Sequence, residues 1–196
     1  MTAGLILAAG SGSRFGDEPK LLAELDGRPL LEHAVRAQSA VPRLARIVVV
    51  LGASAERIAA AVDFGRAEPV TCDEWSEGQA ASLRCGVRAL AGADKVVVTL
   101  GDEPLVSSEV IDLLVDADPG ARATYSGRPG HPVVLGRDHL HALLSLTGDQ
   151  GARDLLRGGE TIECAHLCSG RDVDTIDDLE QIRRSRGKPS HHSSHE

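Results

Sequence analysis

Gly4-Leu5-Ile6-Leu7-Ala8-Ala9-Gly10-Ser11-Gly12-Ser13-Arg14-Phe15-Gly16, with Lys20 close behind, is the stretch on which the fold turns. A short apolar run from Gly4 to Ala9 gives way at once to glycines, which reads as a buried strand feeding a Gly-rich loop. Glycines let a backbone approach a ligand closely, and successive N–H groups in such a loop can cradle phosphate. The loop fails two familiar patterns. Gly10 and Gly12 fit a dinucleotide-binding G-x-G-x-x-G, but its third position is Phe15. No Gly-Lys-Ser/Thr ending follows, so it is not a P-loop of the Walker type.

Outward from this stretch, apolar strands alternate with helical spacings. Strands are predicted at Arg46 to Leu51, Val70 to Cys72 and Lys95 to Leu100, the last broken by Gly101-Asp102-Glu103-Pro104. Helices are predicted at Pro29 to Ala40, Ser54 to Val62 with Ser54 as cap, Gly78 to Leu90, and from a Ser107 or Ser108 cap to Asp116. Continuous apolar strands separated by helices imply a mostly parallel sheet covered on both faces. The second half is less regular. It reads as a strand at Arg122 to Ser126, a turn-rich loop Gly127 to Pro132, and a short strand Val133 to Leu135. Helices at Arg137 to Ser145 and Gly151 to Arg157, a strand Glu160 to Cys168 and a last helix Thr175 to Arg184 follow. The fold class is α/β, one domain over residues 1–185, with residues 186–196 a disordered His-rich tail.

Composition narrows the function. With 196 residues the chain can bury roughly 70% of its unfolded surface without a disulfide or metal staple. The 21 Lys and Arg face 29 Asp and Glu, a net charge of −8, and the aromatics are Phe15, Phe64, Trp75 and Tyr125 alone. A nucleic-acid groove is therefore disfavoured both electrostatically and for want of stacking platforms. No apolar run is long enough to span a membrane, the N-terminal residues lack a basic signal-peptide region, and the expected location is cytoplasmic. The four cysteines are accordingly expected to be reduced thiols. Cys164, His166 and Cys168 would share one face of a strand, but that spacing does not match a structural zinc site. His191, His192 and His195 belong to the tail.

Several segments together resemble one family. Leu7-Ala8-Ala9-Gly10-Ser11-Gly12-Ser13-Arg14 with Lys20 resembles the signature loop of the nucleotidyltransferases that activate sugars, sugar acids and cofactors. Phe15 stands where that family usually has Met. Leu100-Gly101-Asp102-Glu103-Pro104 looks like its strand-end Gly-Asp-x-Pro segment. Gly127-Arg128-Pro129-Gly130-His131-Pro132, Gly148-Asp149-Gln150-Gly151-Ala152-Arg153 and Asp172-Val173-Asp174-Thr175-Ile176-Asp177-Asp178-Leu179 resemble segments of its molybdenum-cofactor cytidylyltransferase branch.

The resemblance implies a Rossmann-like nucleotidyltransferase fold and transfer of a nucleotidyl group with release of pyrophosphate. Arg14 and Lys20 would neutralise the triphosphate, which the loop Leu7 to Arg14 would wrap, and Asp102 would complete the catalytic set. Asp102 and Asp174 would hold Mg2+, with Asp172 as a substitute for Asp174. The nucleotide site would add Gly78, Gln79 and Ser82, and Gly130, His131 and Arg153 would meet the acceptor. Cytidine-specific members tend to carry Leu-Ala-Ala-Gly, as here, and a methyl at Ala9 narrows the base pocket, so CTP is favoured over GTP. The acceptor implied is a molybdopterin-type cofactor, with a molybdoenzyme or maturation factor as protein partner. Alternatives are a relative that reduces a pigment with a nicotinamide cofactor, or a non-catalytic cofactor carrier. The failed fingerprint and the retained Asp102 and Asp174 argue against the first, and the complete set Arg14, Lys20, Asp102 and Asp174 argues against the second.

Overall fold

The computed structural model describes residues 1–12, 15–16, 18–145 and 158–186. Arg14, Ser13, the Gly148–Arg153 segment, the helix expected at Gly151 to Arg157 and the His-rich tail lie outside the described residues. The strands are β1 (Thr2–Ala8), β2 (Glu24–Leu25), β3 (Arg28–Pro29), β4 (Ile47–Leu51), β5 (Glu68–Thr71), β6 (Lys95–Leu100), β7 (Arg122–Tyr125), β8 (Arg128–Gly136) and β9 (Thr161–Glu163). The helices are α1 (Leu30–Ser39), α2 (Ala55–Ala61), α3 (Gln79–Ala89), α4 (Ser108–Asp116), α5 (Arg137–Ser145) and α6 (Ile176–Arg186).

The main sheet has seven strands in the order β5-β4-β1-β6-β8-β7-β9. The first four run parallel, β8 is antiparallel to both its neighbours, and β9 is parallel to β7. β4 is buried at every residue, as a strand covered on both faces must be. Leu31 and Val35 of α1 and Val110, Ile111 and Leu114 of α4 pack on one face. Leu83 and Val87 of α3 and Leu140 and Leu143 of α5 pack on the other. The expected mixed, mostly parallel α/β sheet is thus the observed one.

Two successive connections leave β1 on opposite sides. β4 lies on one side of β1 and β6 on the other, so the carboxyl ends of β1 and β6 flank a topological switch point. Ligands of open α/β sheets bind in the crevice at such a point. The loop after Ala8 and the Gly101-Asp102 corner both open there. Buried Gln38 braces the pair from beneath: its side-chain amide donates to the Leu5 carbonyl at 3.2 Å and to Thr99 Oγ1 at 2.9 Å.

Four sequence expectations are corrected. The stretch expected as a loop at Gly127 to Pro132 is mostly strand. The turn is confined to Ser126 (φ 53°) and Gly127 (φ 75°), and β8 begins at Arg128, paired with Tyr125. Positive φ at both central residues matches the right-handed twist of a two-residue hairpin, and strand pairing overrides the breaker signal of the prolines. The strand expected to Cys168 ends at Glu163, because Leu167 and Cys168 donate their N–H groups back to the Cys164 carbonyl in a turn. Cys164, His166 and Cys168 therefore do not share a strand face. Ser54 precedes α2 but makes no side-chain capping bond, since its own backbone is left-handed at φ 59°. Finally, Cys72 and Cys85 are joined in a disulfide, whereas Cys164 and Cys168 are free thiols. Packing of α3 beside the end of β5 brings those two Cα atoms to 5.9 Å, a bridgeable spacing that a sequence separation of 13 does not disclose. Among the described residues no helix is long and apolar enough to cross a membrane.

The α3–β1 contact depends on Gly86. A Cβ there would lie 2.4 Å from Leu5 Cδ1, and Leu5 is fully buried. Gly86→Ala is expected to lower stability by a net 1 kcal/mol or so, because overpacking of about 1–3 kcal/mol exceeds the roughly 1 kcal/mol gain in helix propensity. Chemical denaturation checks this, and a stabilised variant would contradict it.

Candidate active site

At the switch point the chain gathers three charged groups from three distant segments. Lys20, in the short 3₁₀ turn Lys20–Leu22 that ends the Gly-rich loop, places Nζ 2.6 Å from Asp102 Oδ2 and 3.2 Å from Asp174 Oδ1. Asp102 follows β6 directly, and Asp174 lies just before α6. They meet because the Val173 N–H donates to the Asp102 carbonyl at 2.9 Å, while the Val173 side chain is fully buried. Phe15, Leu25, Leu30, Leu179 and Ile182 surround it, so Phe15 fills the packing position that Met occupies in the resembled family. α6 is started by Asp178, which accepts from the Thr175 N–H at 2.8 Å and from its hydroxyl at 2.7 Å.

Burial works against the Lys20 ammonium, but pairing with Asp102 and then Asp174 more than offsets it, and its pKa is raised. Lys20 thus stays charged across the physiological range. The ammonium marks where a cation is stable between two carboxylates. Asp102 and Asp174 suit Mg2+, which accepts one or two protein carboxylates and takes its other oxygens from water and phosphate. No group of three or more His, Cys, Asp or Glu able to hold a metal exists among the described residues, so a metal held by protein alone does not fit.

The loop lies beside this cluster. Gly12 sits at φ 58°, and a Cβ on it would come 2.9 Å from Lys20 Cβ, so glycine permits the close approach of loop and lysine. Gly10 is exposed with open space at its Cβ position, and Ser11 is exposed as well. Ala8 and Ala9 are buried at the end of β1. Gly78 precedes α3 at φ 111°, Gln79 opens that helix, and Ser82 is buried on it at 5% exposure. Arg14 and Arg153 lie outside the described residues.

On the α3–α5 face a cavity of about 520 Å³ runs from the ends of β1 and β6 to the β7–β8 hairpin. Leu7, Gln79, Gly130, His131 and Asp172 all line it. The structure therefore brings Leu7 and Gln79, expected on the nucleotide side, and Gly130 and His131, expected on the acceptor side, to one cavity, which Ala8, Ala9, Gly78, Ser82 and Asp102 do not line. It also separates Asp172 from Asp174: the former lines the cavity, the latter pairs with Lys20.

Sequence reading assigned no role to Glu103, Tyr125 or Glu163. Glu103 is buried at 5% exposure, lines the cavity, and its Oε1 lies 3.1 Å from His131 Nδ1. Burial pushes its pKa up, opposed by His131. The available signal was a carboxylate placed between an apolar strand and Pro104. Tyr125 donates its hydroxyl to the His131 carbonyl at 2.6 Å and fixes the backbone there. Glu163 accepts from the N–H groups of Ser126, Gly127 and Ala165 at 2.8, 3.0 and 3.0 Å, and so pins the hairpin turn.

Comparison with known proteins identifies the family of the chain. The family model of the MobA-like NTP transferase domain matches residues 4–166. The chain belongs to this family. It is 34% identical to the nicotine blue oxidoreductase of Paenarthrobacter nicotinovorans, over 91% of this chain and 95% of that protein. Among solved structures it is similar to Rv0371c of Mycobacterium tuberculosis H37Rv, with a TM-score of 0.80 and 26% identity, covering 93% of this chain and 97% of that one. A second structure of Rv0371c, in complex with manganese, gives a TM-score of 0.76 at 24% identity over 94% and 98% of the two chains. The nucleotidyl transferase Mth528 of Methanothermobacter thermautotroptrophicus gives 0.76 at 26% identity, over 94% and 97%. Family membership supports a transferase enzyme of the nucleotidyltransferase class.

The hairpin that carries His131 generates a pH prediction. The three backbone N–H groups hold the Glu163 carboxyl well below its ordinary 4.5, at about 2. A depressed folded-state value contributes stability that is complete above the unfolded value and lost as pH falls towards 2. Glu163→Gln should therefore lower Tm at pH 7 and flatten its decline between pH 4.5 and 2. An unchanged pH profile of Tm would contradict this role for Glu163.

Proposed function

We propose that the protein transfers a nucleotidyl group, CMP from CTP, to a phosphate-bearing acceptor of the molybdopterin type. The observation that carries the reading is the convergence of Lys20, Asp102 and Asp174 beside the Gly10–Gly12 loop at the switch point. In the reaction an acceptor phosphate oxygen attacks the α-phosphorus, a new P–O bond forms, and the bond from the α-phosphorus to the bridging oxygen of pyrophosphate breaks. Both reactants are anions, so the site must neutralise and align them, more than abstract a proton. The loop N–H groups from Ala9 to Ser13 receive the phosphates. Arg14 and Lys20 balance the charge that gathers on the leaving pyrophosphate. Asp102 and Asp174 would hold Mg2+, which supplies Lewis-acid polarisation of the phosphate oxygens when bound. The manganese complex of Rv0371c supports a divalent ion in a related fold. Gly78, Gln79 and Ser82 frame the base with Ala8 and Ala9, where the Ala9 methyl favours a pyrimidine over the larger guanine. Gly130, His131 and Arg153 face the acceptor. The domain at residues 1–185 carries the whole reaction, in the cytoplasm, and a molybdoenzyme or maturation factor would receive the product.

The likeness to nicotine blue oxidoreductase favours a second reading, reduction of a flat heterocycle by a nicotinamide cofactor. The loop lacks the third glycine of the dinucleotide fingerprint, and the reading leaves the Lys20–Asp102–Asp174 cluster without a task.

Pyrophosphate release with CTP, GTP, ATP and UTP, each with Mg2+ and molybdenum cofactor, is expected only or chiefly with CTP. No release with any triphosphate would overturn the transferase reading, and pigment-dependent NAD(P)H oxidation in its place would establish the second. Asp102→Ala is expected to abolish metal-dependent turnover with the fold intact by circular dichroism. Lys20→Ala should raise the KM for triphosphate by about tenfold or more, in line with the roughly 1.5–3 kcal/mol of a charge-assisted contact. Full activity of either variant would remove that residue from the mechanism.

A further inference from the structure

Beside the cavity stands one buried polar atom that no contact explains. Glu103 Oε1 is engaged by His131 Nδ1, but Oε2 is buried and has no hydrogen-bond partner among the described residues. An unmet carboxylate oxygen in a desolvated place is costly. Such groups are retained where a ligand completes them. A carboxylate oxygen accepts, so the missing partner is a donor and not an anion. The walls specify the rest of the ligand. Leu7, Val98, Val133 and Leu135 lie on one face of three neighbouring strands and form an apolar floor, with Leu83 and Leu143 opposite. At about 520 Å³ the cavity falls in the size range of small-molecule sites. An apolar floor with carboxylates at its end, Glu103 and Asp172, suits a flat ring system that bears an N–H. The hairpin is rigid where the acceptor stands: Tyr125 holds the His131 carbonyl, and His131 holds Oε1, which leaves Oε2 as the free oxygen.

We propose that Glu103 is the specificity-determining residue of the acceptor site: its Oε2 accepts a hydrogen bond from a ring N–H or exocyclic amine of a heterocycle resting on the Leu7–Val98–Val133–Leu135 floor. The assignment to the acceptor rests on the transferase reading above. It commits Glu103 to the acceptor, not to the nucleotide base, because the partner of Glu103 is His131 of the acceptor-side hairpin and not a residue of α3.

The test uses the full chain and needs no turnover, so its failure is distinct from a failure of nucleotidyl transfer. The probes are 2-quinolone, which carries a lactam N–H, and N-methyl-2-quinolone, which lacks it. Fluorescence titration of the wild-type protein should show the N–H compound binding about tenfold more tightly. In Glu103→Met, an apolar side chain of similar length, that preference should fall to about one while the N-methyl compound binds as before. Glu103→Gln keeps an acceptor oxygen but no charge, and should retain a reduced preference of about two- to threefold. It carries the test if the Met variant does not fold. CTP affinity, measured in parallel, should be unchanged in both variants. An equal affinity of wild-type protein for the two probes, a preference that survives in both variants, or absence of binding of both probes would overturn the proposal. So would a loss of CTP affinity with probe binding intact, which would place Oε2 on the base amine.

Discussion

Lys20 sits between Asp102 and Asp174, and much of the molecule is arranged so that it can. The Lys20 side chain is 12% exposed and its two carboxylates come from segments 82 and 154 residues away. Such a cluster is stable only if the charges arrive together. Removing Lys20 would leave two carboxylates facing each other, and removing either acid would weaken the hold on a part-buried cation. The fold meets this demand through the backbone. The Val173 N–H bond to the Asp102 carbonyl and the buried cluster of Phe15, Leu30, Val173, Leu179 and Ile182 dock the start of α6 against both the first loop and the end of β6. The small apolar cluster is thus the support of the charged one, and α6 exists at this position because it closes the site.

The same constraint explains how a chain of net charge −8 can serve anionic ligands. Field at a site is set locally. On the proposed reading Asp102 and Asp174 stand where a cation would be held and the glycine loop where phosphate would meet N–H donors, while acids elsewhere on the surface are paired with cations, as Asp112 and Asp116 are with Arg43. The scarcity of aromatic residues has a counterpart in the cavity floor, which is aliphatic. Recognition in it falls to shape and to a few polar atoms, Gln79, Glu103 and His131 among them.

Much of this was legible in the sequence, for reasons that differ by region. β1, β4 and β6 are uninterrupted apolar runs because both of their faces are covered, and their helices carry regular spacing. Lys20, Asp102 and Asp174 could be singled out because their segments resemble one family's motifs, Asp174 by that resemblance alone. What sequence did not disclose depends on distant pairing. The β7–β8 hairpin hides under Gly127, Pro129 and Pro132, residues that ordinarily mark a loop, and its strand character comes from the pairing of Arg128 with Tyr125 and of Pro129 with Thr124. The Asp26-Gly27 turn between β2 and β3 is a standard hairpin signal that went unread. The Cys72–Cys85 bridge and the Glu103–His131 pair are products of packing across elements. Asp172 and Asp174 were equivalent as letters. The burial of Val173 between them sets the one facing the cavity and the other facing Lys20.

The account stands most directly on Asp102 and Asp174 as the metal end of a triphosphate site. Mn2+ titration of the full chain with CTP present, followed by electron paramagnetic resonance of free Mn2+, measures this. The account predicts saturable binding by the wild-type protein, weakened at least tenfold by Asp174→Ala and lost in Asp102→Ala. Mn2+ binding of undiminished affinity in Asp102→Ala would contradict it.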